Sequence, residues 1–156
     1  MNIFILDQDP IKAAQYHCDK HCVKQVLESC QMLSTAIRTC SNDKVEGIYK
    51  IAHLNHPCSK WTRETRSNFK WLVEMTEELF QEYTRRYGKS HKSYSIFEVC
   101  KNHANFIPDG EMTAFALAMP DEYKNPDAVQ AYRTYYLKDK REISKWKMGN
   151  APAWWV

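Results

Sequence analysis

Apolar residues recur every three or four positions along two long stretches of the chain, which is the period of an amphipathic helix. The first set comprises Val23, Val26, Leu27, Cys30, Leu33 and Ile37. It predicts a helix over residues 10–39, with Pro10 in its first turn. The second stripe has Trp61, Leu72, Met75, Leu79 and Tyr83, with the polar residues Thr65 and Asn68 at the same spacing near its start. It predicts a helix over residues 57–87 that ends before Gly88.

The remaining segments are shorter and complete the predicted architecture. Two further helices are predicted over residues 93–102 and 126–146, and residues 107–125 are predicted to be irregular. A short apolar arm covers residues 2–6, and an aromatic tail covers residues 149–156. We therefore expect an all-α fold, a single compact domain of four or so helices over residues 1 to 156. The two long helices should pack together with little or no sheet.

Composition narrows the class of protein. The chain has 156 residues, of which 44% are hydrophobic and 26% charged, as in globular domains. No run of 18 apolar residues is present, which argues against a membrane span. The first ten residues lack the features of a secretory signal, so the six cysteines are predicted to be reduced thiols in a cytoplasm. A net charge of +3 permits nucleic-acid binding without requiring it.

Charged residues fall on the predicted buried face near the start of the first helix. Extending its apolar stripe backwards places Asp19 and Lys20 there, with His17 and His21 beside them. Burying an ion pair costs several kcal/mol per ion, so an open cleft is expected at this end of the helix. These four residues are the catalytic candidates. The alternative is a buried ion pair with hydrogen-bonded histidines.

The second helix shows the same polar end. Asn68 lies on its stripe, Arg63 lies nearby, and His56 precedes its first turn, where free N–H groups favour an anion. His56, Arg63 and Asn68 are therefore candidate substrate-binding residues. If the two helices pack in parallel, these residues and Asp19 converge on one cleft.

Three further positions are candidate substrate-binding residues. Lys89 and His91 lie in a basic segment after Gly88, and Asp121 lies in the irregular segment. Alternatively, Lys89 and His91 are cations that complement a helix C-terminus. Asp121 would then belong to a plain helix start.

No metal and no cofactor are predicted. The pair His17 and His21 and the pair Cys18 and Cys22 are each four apart, but the two pairs point about 100° apart on a helix and would not share one ion. The chain also has no glycine-rich phosphate loop and no dinucleotide fingerprint.

Several motifs resemble a family of small proteins encoded mainly by tailed phages. The likeness covers nearly the whole chain and implies the cytoplasm of an infected host cell as the location. Its motifs are residues 2–7, 16–21, 55–57, the Trp61/Arg63/Thr65/Asn68/Trp71 series, 86–89 with His91, 119–123 and 131–133.

The layout of the chain resembles, more remotely, the phage pyrimidine-dimer DNA glycosylases. The shared features are a short N-terminal arm, a second long helix that begins at Pro57 and ends in a basic turn, and a Pro-Ala-Trp tail at residues 152–154. The resemblance implies a small all-α enzyme whose first helix supplies a catalytic carboxylate, for which Asp19 is the nearest candidate.

Those enzymes use as nucleophile the α-amine of a threonine exposed by removal of Met. Here Asn2 follows Met1, and Met removal normally requires a smaller second residue. Two alternatives remain: Lys20 forms the Schiff base instead, or the glycosidic bond is cleaved without one.

The function predicted from these features is an enzyme that acts on a nucleobase or its N-glycosidic bond, in DNA or in a nucleotide. Asp19 would stabilise the sugar cation, and His21 or His17 would transfer a proton. Arg63, Lys89 and His56 would hold phosphate. The alternative is a non-catalytic phage accessory protein that binds a nucleotide signal or a host protein.

Overall fold

The computed structural model describes residues 1–156 and contains helices and no β-strand. The helices are α1 (Pro10–Tyr16), α2 (Asp19–Cys40), α3 (Pro57–Glu64), α4 (Arg66–Tyr87), α5 (Tyr94–Lys101) and α6 (Ala128–Asp139), with 3₁₀ turns at Ala104–Phe106 and Asp121–Tyr123. The all-α prediction is confirmed, and the long helices α2 and α4 pack against each other as expected. None of the six helices combines the length and apolar content needed to cross a bilayer.

The predicted first helix is in fact two helices, α1 and α2, with a break at residues 17–18. Both residues of the break have extended backbone, with ψ of 132° and 162°. The guanidinium of Arg86 donates to the carbonyl oxygen of Gln15 at 3.1 Å, the acceptor that Asp19 would need in a continuous helix. The Asp19 N–H instead donates to the carbonyl of Lys145 at 2.8 Å. Distant parts of the chain therefore satisfy the backbone groups that the break leaves open.

The predicted second helix also divides, at Thr65, which has extended backbone (φ −139°, ψ 155°). The Thr65 hydroxyl accepts a hydrogen bond from the Asn68 N–H at 3.1 Å and caps α4. The irregular segment runs alongside, where the Arg66 N–H donates to the carbonyl of Pro108 at 2.7 Å. Gly110 packs so closely that a Cβ there would lie 3.0 Å from the Thr65 side chain.

The buried face of α2 differs from the predicted stripe in its first half. Val23 and Leu27 are exposed, whereas His21 and Gln25 are buried. The other members of the stripe, Val26, Cys30, Leu33 and Ile37, are buried as predicted. The face turns because the arm and α6, which lie far from α2 in sequence, cover the side that carries His21 and Gln25.

The N-terminal arm is the centre of the core and not an exposed extension. Residues 3–6 are each at most 4% exposed. The last helix ends at Asp139, earlier than the predicted residue 146, because residues 145–147 turn towards the start of α2. There the Lys147 N–H donates to the Asp19 carboxylate at 2.8 Å.

Candidate functional site

A small cleft of about 150 Å³ opens where the arm, α2 and the end of α6 meet. The amino group of Met1 lies at this cleft, with its nitrogen 3.3 Å from Oε1 of Glu28. The side chains of Met1 and Glu28 are 2% and 17% exposed, whereas Met1 as a whole is half-buried, so its exposed part is the backbone end. A primary amine beside a carboxylate combines a nucleophile with a proton acceptor. The cleft is lined by Met1, Asn2, Phe4, His21, Lys24, Gln25, Glu28, Tyr135 and Lys140.

One face of α2 supplies four of these side chains. His21, Lys24, Gln25 and Glu28 are separated by three, one and three positions, which brings them to the same side of a helix. His21 and Gln25 are buried on this face, whereas Glu28 is half-buried and Lys24 is exposed. A covered polar face needs partners or a ligand, because a buried group without a hydrogen bond is costly.

Asn2 fixes the position of the amino group. Its Nδ2 donates to the carbonyl of Ala118 at 2.8 Å, and its Oδ1 accepts from the Ile3 N–H at 2.8 Å and the Tyr132 hydroxyl at 3.0 Å. The residue that argued against Met removal is therefore a buried anchor. By holding residue 2, it directs the amine of Met1 towards the cleft.

His21 is a neutral imidazole in this site. Its ring stacks on Phe4 with centroids 4.3 Å apart, and its Nδ1 lies 2.6 Å from the hydroxyl oxygen of Tyr136. Burial, reinforced by nearby positive charges, lowers the pKa of His21 to about 3. At neutral pH the uncharged ring has one nitrogen that donates and one that accepts a hydrogen bond.

Three lysines surround the cleft. Lys140, Lys24 and Lys20 all lie near enough to disfavour a charged His21. Lys20 and Lys24 are exposed and Lys140 is half-buried. This arrangement attracts a polyanion such as a nucleic-acid backbone to the mouth of the cleft.

Low pH is expected to destabilise the fold through His17 and His21. Burial is the main cause that lowers the pKa of the fully buried His17 to about 4, and of His21 to about 3. Above about pH 6.5, the pKa of an unfolded histidine, the fold has its full stability with both rings neutral. That stability is lost as pH falls towards the two lowered pKa values, because the unfolded chain then binds protons that the fold does not. At pH 5 each histidine is expected to lower the free energy of unfolding by about 2 kcal/mol. Urea unfolding at pH 7.5 and at pH 5 measures the difference.

The matched control is the exposed His53. His53→Gln should keep the full pH dependence, whereas His17→Gln should remove a large part of it. An unfolding free energy that stays constant from pH 7.5 to pH 5 would contradict the assignment.

Asp19, predicted as the catalytic carboxylate, lies in an ion pair that joins α2 to α4. Its Oδ1 is 3.2 Å from Nη1 of Arg86, and its Oδ2 accepts the Lys147 N–H. His17 lies in the core, with Nδ1 2.7 Å from the carbonyl oxygen of Ala13. This arrangement matches the alternative interpretation, which was a buried ion pair with hydrogen-bonded histidines.

The expected convergence of Asp19 and Arg63 on one cleft is wrong. Arg86, at the C-terminal end of α4, meets Asp19 at the N-terminal end of α2, so the two helices run antiparallel. Arg63 lies near Cys40, where burial raises the pKa of the thiol and the Arg63 charge opposes the rise. These positions are at opposite ends of α2, which spans 22 residues or about 33 Å.

The other candidate residues are also dispersed. The Asn68 amide forms hydrogen bonds to the backbone of α3 and to both the side chain and the backbone of Thr113. His91 lines a separate cavity of about 420 Å³ on the outer side of α4, and Lys89 is exposed in the turn before it. Asp121 is exposed and pairs with a lysine of its own turn.

His56 is the one residue of the second predicted group that lies close to the cleft. Its Nδ1 accepts the Cys58 N–H at 3.0 Å and caps α3. Burial lowers the pKa of His56, and the charged amine of Met1 lowers it further. Of the ten candidates, only His21 lines the cleft, while His56 lies near the Met1 amine and Lys20 near His21.

The sequence reasoning missed Glu28 and Gln25. Their signal was present, since Glu28 is seven positions after His21 and three after Gln25, on one helical face. Because Val23 and Leu27 are apolar, the buried face was predicted on the neighbouring side of the helix.

A family model described as pyrimidine dimer DNA glycosylase matches residues 1–95. The matched part contains the arm and all of α1 to α4, including Met1 and Glu28, whereas Tyr135 and Lys140 lie beyond it. No curated protein and no solved structure gives a significant match to the chain. The remote resemblance inferred from the layout of the chain is confirmed over this range. Because the match covers more than half of the 156 residues, the chain belongs to the family of pyrimidine dimer DNA glycosylases.

Proposed function

We propose that the amine of Met1 and the carboxylate of Glu28 together cleave the glycosidic bond of a damaged pyrimidine in DNA. The observation that carries this proposal is their 3.3 Å contact in the cleft. Membership of the family supports a glycosylase function and DNA as the substrate. Neither the cleft nor the family match favours the accessory-protein alternative.

The chemistry follows from these two groups. The unprotonated amine attacks C1′ of the deoxyribose, forming a C–N bond while the glycosidic bond breaks. The pyrimidine leaves with that electron pair and takes a proton from water. Glu28 accepts a proton from the attacking nitrogen and returns it to the ring oxygen as the sugar opens to an imine. Water then hydrolyses the imine and restores the amine.

The Met1 amine suits this role better than Lys20. Lys20 is exposed and no carboxylate pairs with it, whereas the Met1 amine has Glu28 beside it. Lys20 instead belongs to the cationic surroundings of the cleft, where it would hold the DNA backbone.

Access to the amine requires that the target nucleotide leave the base stack. Lys24 and Lys140 line the cleft, and enzymes that act on a base of duplex DNA turn a nucleotide out of the stack. We propose that the lysines hold the flanking phosphates while the nucleotide turns into the cleft. His56, whose Nδ1 is occupied by the α3 cap, has Nε2–H available as a donor near the amine.

The decisive test is reductive trapping with borohydride. Wild-type protein mixed with DNA carrying a pyrimidine dimer is expected to form a covalent adduct, because borohydride reduces the imine to a stable amine. Peptide mass mapping should place the adduct on the N-terminal residue. The control Lys20→Arg should trap to the same extent, and a variant with two additional residues before Met1 should not trap.

Two results would overturn the assignment of the amine. One is base release by the wild type with no trapped adduct, which would indicate direct hydrolysis. The other is an adduct on Lys20 that disappears in Lys20→Arg.

A further inference from the structure

Two apolar side chains are exposed in the loop that joins α2 to α3. Ile51 is 49% exposed and Leu54 is 37% exposed, and of residues 50–55 only Ala52 is half-buried. Residues 51–54 are called the apolar tip below. Exposure of two large apolar side chains this close together is unfavourable in water, and such a patch beside a cleft is typical of a binding surface.

The apolar tip is held in one shape by hydrogen bonds to α2 and within the loop. The hydroxyl of Thr35 accepts from the Ala52 N–H at 3.0 Å and donates to the Ala52 carbonyl at 3.3 Å. The His56 N–H donates to the carbonyl of His53 at 3.0 Å. His53 itself has left-handed backbone, with φ of 50°. Residues other than glycine rarely adopt this conformation, and such strain is most often kept at functional sites.

The apolar tip lies beside the cleft. Thr35 follows Glu28 by seven positions, which is two helical turns, so the tip is attached to the same face of α2 about 10.5 Å further along. His56, at the end of the loop, lies near both Glu28 and the Met1 amine, whose charges act on its ring. Lys24 lies one turn before Glu28 on this face. The cleft therefore lies between Lys24 and the apolar tip.

The surroundings of the tip suit duplex DNA better than another protein. Stacked bases in one strand are about 3.4 Å apart, so 10.5 Å corresponds to about three steps of a strand whose target nucleotide is at Glu28. Lys50, directly before the tip, is exposed and adds a positive charge that suits a phosphate. Proteins that bend a duplex commonly insert apolar side chains between base steps, with basic residues beside them.

A nucleotide that turns into the cleft leaves a gap in the stack. The faces of the neighbouring bases lose their stacking contacts, which is the main cost of turning a base out. A branched aliphatic side chain in the gap covers those apolar faces and keeps water from them. It also blocks the return of the nucleotide.

We propose that Ile51 and Leu54 insert into the duplex beside the target nucleotide and occupy the space that it leaves. The inference rests on the proposed function, since it assumes that a nucleotide enters the cleft. It concerns the opening of the duplex and not the sugar chemistry, to which the apolar tip contributes no reacting group.

Single-stranded DNA separates the two ideas, because it has no duplex to open. In the double variant Ile51→Ser, Leu54→Ser, we expect kcat/KM for base release from a dimer in duplex DNA to fall by about 10- to 100-fold. Release from a dimer in single-stranded DNA should stay within about twofold of the wild type. With 2-aminopurine next to the dimer in a duplex, the rise in fluorescence on binding should be large for the wild type and small for the variant.

The matched control is Ile11→Ser. Ile11 is 38% exposed and lies on α1, which packs against α4. This variant should keep the wild-type rates on both substrates and the full fluorescence rise. The conservative variant Ile51→Leu should also keep them, since it retains an apolar side chain of the same volume. Thermal unfolding of all variants checks that the fold is preserved.

Two results would overturn the inference. Unchanged release from duplex DNA by the double variant would show that the tip does not enter the stack and would leave it as a surface for another protein. An equal loss on duplex and single-stranded DNA would assign the tip to the packing of the site.

Failure of the proposed function has a different signature. A wild type that traps no borohydride adduct on single-stranded abasic DNA would refute the amine chemistry. The 2-aminopurine signal would still test the inference, because it reports the stacking of bases and not the cleavage of a bond.

Discussion

Replacing Glu28 with Gln is expected to lower kcat for base release from dimer-containing DNA by about 10²- to 10⁴-fold, the usual contribution of a positioned acid–base group. The amide has nearly the same shape as the carboxylate but cannot accept a proton from the attacking amine. Affinity for DNA should stay constant or rise, because the variant removes a negative charge from a site surrounded by lysines. Single-turnover kinetics together with equilibrium DNA binding would separate the two effects.

The matched control is Glu74→Gln, an exposed position on α4 far from the cleft. It removes the same charge from the protein and should leave kcat unchanged. If Glu28→Gln retained more than a tenth of the wild-type kcat, Glu28 would only hold the amine in place. The proton would then have another acceptor.

The helices were predictable from the sequence because their signals are local. Spacing of apolar residues, a proline in a first turn and Gly88 at a C-terminus all act within a few residues of the element that they define. The breaks were not predictable in this way. The end of α1 depends on Arg86, about 70 positions along the chain, and the break at Thr65 depends on the segment around Pro108.

The site was only partly predictable, for the same reason. The sequence placed Asp19 and Lys20 on the covered face with His21 beside them; His21 is buried but Lys20 is exposed. The neighbours of each residue depend on the packing of distant segments. Asp19 meets Arg86, whereas Glu28 meets the amine of Met1. A backbone amine has no residue-type signal of its own. Its position emerged only once the arm was seen buried and held through the Asn2 side chain.

Replacing Arg86 with Met is expected to lower the free energy of unfolding by about 3–5 kcal/mol, the usual cost of removing one partner from a buried ion pair. Arg86 is 4% exposed, and its guanidinium contacts Glu82 at 2.8 Å and Asp19 at 3.2 Å. It also donates to the carbonyl of His17 at 2.7 Å and to that of Gln15. The substitution leaves two carboxylates and two carbonyls without these partners.

The neighbouring Arg85 provides the control for this prediction. Its side chain is 48% exposed, although it pairs with Glu78 and Glu82. Arg85→Met should therefore cost at most about 1 kcal/mol. Urea unfolding at pH 7.5 measures both variants.

Arg86→Lys should recover only part of the loss, because a single ammonium cannot reproduce the forked contacts of a guanidinium. Since Arg86 fixes the start of α2, which carries Gln25 and Glu28, Arg86→Met should also reduce base release well below the fraction expected from unfolding alone. A loss of less than about 1 kcal/mol in stability would contradict the assignment. The break at residues 17–18 would then be held by the hydrogen bonds to Lys145 and Lys147, and Arg86 would not be its main support.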